Sequence, residues 1–87
     1  MDFASDYTMT IAGQPVTTGL TKEVINPATG RPFAAVPVAG ATELDDAVAA
    51  AQTALPGWKA LGWEGRREVL LRAAKAIEPH VDALAAL

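Results

Sequence analysis

No cysteine occurs in the 87 residues of this chain. That absence excludes a thiolate nucleophile, a disulfide framework and any thiolate metal site, and it leaves the redox compartment undetermined. His80 is the single histidine, so no imidazole pair exists to share a metal. Seven Lys and Arg stand against ten Asp and Glu, a formal net charge of −3, with the two signs interspersed. No basic stripe is present, so nucleic-acid binding is not expected. No apolar run approaches the ~20 residues that a membrane-spanning helix needs. The acidic opening, Met1 to Asp6, lacks the apolar stretch of a secretory signal. A cytoplasmic chain without a membrane partner is therefore expected. A chain this short makes one small domain at most and buries only roughly 60% of its unfolded surface, so without staples its independent stability is marginal. Internal repeats, low-complexity tracts and interdomain linkers are also missing.

What is present begins with the block Ile25-Asn26-Pro27-Ala28-Thr29-Gly30. Asn26 precedes a proline that fixes φ, and Gly30 brings the backbone freedom a chain reversal needs, so the block reads as a turn between two strands. Lys22 to Ile25 leads in with β-branched residues, and Phe33, Val36 and Val38 can form the returning strand. Upstream, Tyr7 to Ala12 alternates as a strand. Gly13-Gln14 reads as a two-residue turn and Val16 to Thr18 as a short partner, with Pro15 confining that partner to an edge.

The chain then changes period. Thr42 is placed to cap a helix, with Asp45 three residues on as its acidic capping-box partner. Leu44, Ala47, Val48, Ala51 and Leu55 recur on one face of a 3.6-residue period, and Pro56-Gly57 is expected to end that helix near Leu55. A second helix is expected from about Glu64 to Glu78, with Leu70, Ala73, Ala74 and Ile77 on one stripe, and a third over 80–87 after Pro79. The class is therefore α+β, two N-terminal β-hairpins over about 7–38 followed by two to three α-helices at about 43–55, 64–78 and 80–87.

No side chain in this pattern assembles a recognisable reaction centre. His80 follows a proline between two acidic residues and has no Ser, Cys or second His at a usable spacing, so it reads as a surface histidine. Asp45 and Asp46, adjacent on a helix, diverge by about 100° and cannot share a proton or a metal; in a first turn they complement the helix dipole. Glu64, Arg67, Glu68 and Arg72 fall at i, i+3 and i, i+4 spacings and form a solvated ionic face. Gly13, Gly19, Gly30 and Gly40 fit neither dinucleotide nor nucleotide phosphate-loop spacing and read as turn glycines. Trp58 and Trp63 are expected to plug a core near the interhelical connection.

Taken in order, Asn26-Pro27-Ala28-Thr29-Gly30, Val36-Pro37, Ala47-Val48-x-Ala50-Ala51, Trp58 and Arg66-x-x-x-Leu70-x-x-x-Ala74-x-x-Ile77 resemble the N-terminal segment of the NAD(P)-dependent aldehyde dehydrogenase superfamily, from about Tyr7 to Leu87. One departure stands at the second helix. The family usually has Ser or Thr, then Pro, before two acidic residues, where this chain reads Gly62-Trp63-Glu64-Gly65. On propensity alone, Gly65 weakens the helix start by ~0.5 to 1 kcal/mol relative to Ala.

The resemblance implies an α/β parent with a Rossmann-like cofactor domain that oxidises an aldehyde to a carboxylic acid with NAD or NADP. It further implies a homo-oligomeric parent whose remaining chain is the partner of this segment. The catalytic cysteine and the glutamate that activates water would lie downstream, so this chain has no catalytic or cofactor-binding residue to assign and is expected to be inactive alone. It also implies that the backbone carbonyls of Val24 and Ile25, ahead of the Asn-Pro pair, contribute to a monovalent cation site completed by ligands elsewhere in the parent; carbonyl oxygen suits a hard cation. Arg66 matches a recurrent arginine and is expected to anchor a neighbouring element.

The sequence closes on Ala83-Leu84-Ala85-Ala86-Leu87, apolar and without a capping residue, which is expected of a segment of a longer chain rather than a finished domain. The competing reading is a freestanding helical interaction module. Trp58-x-x-Leu61-Gly62 with Ala74 imitates part of a tetratricopeptide repeat, but Gly65 stands where an aromatic is needed, and one unit cannot stack into a solenoid.

Overall fold

Two hairpins precede a run of helices in the computed structural model, which describes residues 7–87. The acidic opening from Met1 to Asp6 lies outside the described residues. Strands β1 (Met9–Ile11) and β2 (Gln14–Val16) form one antiparallel pair, and β3 (Thr21–Asn26) and β4 (Arg31–Pro37) form another. Helices α1 (Ala41–Ala60) and α2 (Gly62–Ile77) follow, then a 3₁₀ turn (Glu78–His80) around Pro79 and the short α3 (Val81–Ala86).

The first hairpin turns one residue earlier than the Gly13-Gln14 expectation. Ile11 pairs with Gln14, so the turn residues are Ala12 and Gly13, with φ of 51° and 74°. Two consecutive positive φ values are what a two-residue turn matched to strand twist requires. Pro15 opposes Thr10 within β2, in a two-stranded sheet where the missing N–H has an open edge to face.

The second hairpin is built around Asn26. Its side-chain Oδ1 accepts the Ala28 N–H at 2.9 Å, and its carbonyl accepts the Gly30 N–H at 2.8 Å, while Gly30 adopts φ 69°. The Arg31 N–H closes the loop on Thr29 Oγ1 at 3.3 Å. Pairing then runs from Asn26 with Arg31 to Thr21 with Pro37, interrupted between Val24 and Ile25. Val24 faces Ala34 and Ile25 faces Pro32, which leaves Phe33 without a cross-strand partner. Pro32 cannot donate to the ladder, so an irregularity beside it is the expected accommodation. At the open end, Val38 N–H donates to the Leu20 carbonyl at 2.9 Å, and the Thr18 hydroxyl lies 2.8 Å from the Val38 carbonyl and 2.9 Å from that of Leu20.

Helix α1 differs from its sequence-based limits at both ends. Gly40, not Thr42, is the N-cap, and Glu43 rather than Asp45 answers it: Glu43 Oε2 accepts the Gly40 N–H at 2.8 Å. The helix also continues through Pro56-Gly57 to Ala60. Pro56 removes the bond to the Gln52 carbonyl and crowds that carbonyl with its ring, but residues 51–61 are all exposed, so water can satisfy it. The real stop is Gly62, whose φ of 67° reverses the chain just past the Leu61 C-cap. Gly65 sits so close to Leu61 that a Cβ there would lie 2.9 Å from the Leu61 Cβ. The glycine that propensity disfavours is thus the residue that lets the α1–α2 corner close.

None of this encloses a core. Among the described residues no side chain is buried, and the expectation that Trp58 and Trp63 plug an interior is overturned, Trp63 being 68% exposed. The radius of gyration is 16.5 Å, against about 12 Å for a compact chain of this length. The accessible surface is 7004 Å², against roughly 4,900 Å² for a compact monomer of 9.0 kDa.

Candidate functional site

The periodic apolar residues lie along exposed helix surface instead of in an interior. On α1, Leu44, Val48 and Leu55 are 62%, 50% and 51% exposed, although their spacing writes one continuous stripe. On α2, Leu70 is 63% exposed, and Leu71 and Ile77 are exposed with it. Such a stripe on a free helix has no structural use by itself, because amphipathic helices gain most of their stability from packing that face. A surface about 2,100 Å² larger than compaction would leave is more than twice what one partner contributes to a standard protein–protein interface, about 800 Å². The helical element formed by α1 and α2 is thus left with its apolar faces open to solvent.

The polar residues hold this element in shape. Arg66 Nη1 donates to the Lys59 carbonyl at 3.3 Å, tying the first turns of α2 to the last carbonyls of α1. That matches the anchoring role expected of Arg66. The expected i, i+3 and i, i+4 ion pairs on α2 give way to a single sequence-neighbour pair among the described residues, Arg67 Nη1 to Glu68 Oε1 at 3.4 Å, with both side chains exposed. Asp45 and Asp46 sit on α1 beyond its cap, and His80 ends the 3₁₀ turn half-buried. No group of three or more His, Cys, Asp or Glu that could hold a metal occurs among the described residues.

Val24 and Ile25 fall on β3 where pairing is interrupted, Val24 half-buried and Ile25 exposed. The geometry thus places both candidate carbonyl donors at the one irregularity in the second hairpin. Two features of structural weight, the α1 cap and the Thr18 bridge, are not read from the sequence. The Gly40-x-x-Glu43 spacing was the available signal for the cap; for the Thr18 hydroxyl bridge to Val38, twenty residues away, no local signal exists.

A family model describing the aldehyde dehydrogenase family matches residues 16–87. The chain belongs to the aldehyde dehydrogenase family. Matching begins at the last residue of β2, so the second hairpin and every described helix of this aldehyde dehydrogenase segment fall within it. Over its full 87 residues the chain is 37% identical to a probable aldehyde dehydrogenase of Pseudomonas sp, covering 18% of that protein. It is 42% identical over 79 residues to malonate-semialdehyde dehydrogenase 3 of Geobacillus kaustophilus and 43% identical over 75 residues to vanillin dehydrogenase of Pseudomonas fluorescens. These matches cover 88% and 84% of the chain but only 16% of each relative. No solved structure matches significantly. No helix among the described residues is long and apolar enough to cross a membrane.

Proposed function

We propose that this chain is the non-catalytic N-terminal portion of a cytoplasmic, homo-oligomeric, NAD(P)-dependent aldehyde dehydrogenase that oxidises an aldehyde to a carboxylic acid through a downstream cysteine. The observation that carries the reading is a family match over residues 16–87 in a chain that spans only 16–18% of its relatives. The exposed stripes on α1 and α2 supply the physical complement, since a segment made to pack against a larger body leaves its apolar faces open until that body is present.

In this reading the segment's work is positional. The Asn26 turn and the Thr18 bridge set the second hairpin, the Gly40–Glu43 cap starts α1, and the Gly62–Gly65–Arg66 corner fixes how α2 leaves it. Gly13 and Gly30 occupy hairpin turns, and Gly40 caps α1 with its N–H taken by Glu43 Oε2, so no dinucleotide contact is proposed for these glycines. No step involving the dinucleotide is assigned to these residues. The carbonyls of Val24 and Ile25 are proposed as two donors to a monovalent cation, because carbonyl oxygen suits a hard ion; a register shift in the β3–β4 pairing falls between the two residues.

Assaying the complete gene product with a panel of aldehydes, separately with NAD and NADP, tests the reading. Formation of the reduced dinucleotide together with the acid is expected. A complete product that binds neither dinucleotide and turns over no aldehyde would falsify it.

A further inference from the structure

We draw no further inference here: the strongest candidate, the unpartnered apolar surface that α1 and α2 present through Leu44, Val48, Leu55 and Leu70, belongs to the docking of this segment on its own longer chain already proposed, and nothing in the structure shows any other occupant for it.

Discussion

Substituting Gly65→Ala sets two physical effects against each other at one atom. Helix propensity favours alanine by about 1 kcal/mol in a helix interior, and by less this near the start of α2. The structure opposes it: the new Cβ would lie 2.9 Å from the Leu61 Cβ, where carbon atoms prefer about 3.5–4.0 Å. Neither Cβ can be moved by changing a rotamer, so relief requires the α1–α2 corner to open by about 0.5–1 Å. Overpacking of this kind costs ~1–3 kcal/mol, which outweighs the propensity gain and leaves a net loss of about 1 kcal/mol. Amide hydrogen exchange over residues 58–70 in the complete protein reads the effect locally, and the loss corresponds to roughly fivefold faster exchange. A Leu61→Gly background isolates the cause, because removing the Leu61 Cβ abolishes the clash while Leu61→Ala retains it. Slower exchange in Gly65→Ala in both the Leu61 and the Leu61→Gly backgrounds would show that propensity governs the site and that the close approach has no energetic weight.

Asn26→Ala removes the acceptor of the Ala28 N–H and should lower stability by about 0.5–1.5 kcal/mol, seen as faster exchange confined to the Pro27–Gly30 loop and the neighbouring ends of β3 and β4. Arg66→Met, which keeps the aliphatic stem, should cost a similar ~0.5–1.5 kcal/mol by releasing the Lys59 carbonyl, whereas Arg67→Ala should shift the thermal midpoint negligibly because its ion pair with Glu68 is solvent-exposed. Val48→Asp places a charge on the α1 stripe. In the complete protein it should reduce the yield of folded enzyme and destabilise by at least ~2 kcal/mol if that face is covered, and normal yield and thermal midpoint would show that it is not.

The legible parts of the fold are those decided by neighbours in the chain. Asn26-Pro27 and Gly30 specify their turn through a side chain acting two residues away and a positive φ, and both effects are written locally. The stripe from Leu44 to Leu55 marks α1 for the same reason. Pro56 misled because a proline's disfavour for helix is finite: one lost bond on a solvated face does not stop a helix whose turn glycine lies further on, at Gly62. The Thr42 cap lost to Gly40 because a carboxylate at the third helical position can satisfy the cap N–H without any side chain at the cap itself. Propensity alone marks Gly65 as a defect and does not show that Leu61 packs against it, and the exposure of Trp63 follows from the absence of an enclosed core, which local pattern does not reveal. The candidate cation donors entered by family resemblance; the break in pairing at Val24 and Ile25 depends on long-range register and was not legible.

In the function proposed for it, the segment positions a larger enzyme and performs none of its chemistry. The measurement is formation of reduced dinucleotide by the purified 87-residue chain beside the complete gene product, with the same aldehydes and with NAD or NADP. The expected result is turnover by the complete product and none by the 87-residue chain at any concentration; sustained aldehyde-dependent turnover by that chain alone contradicts the claim.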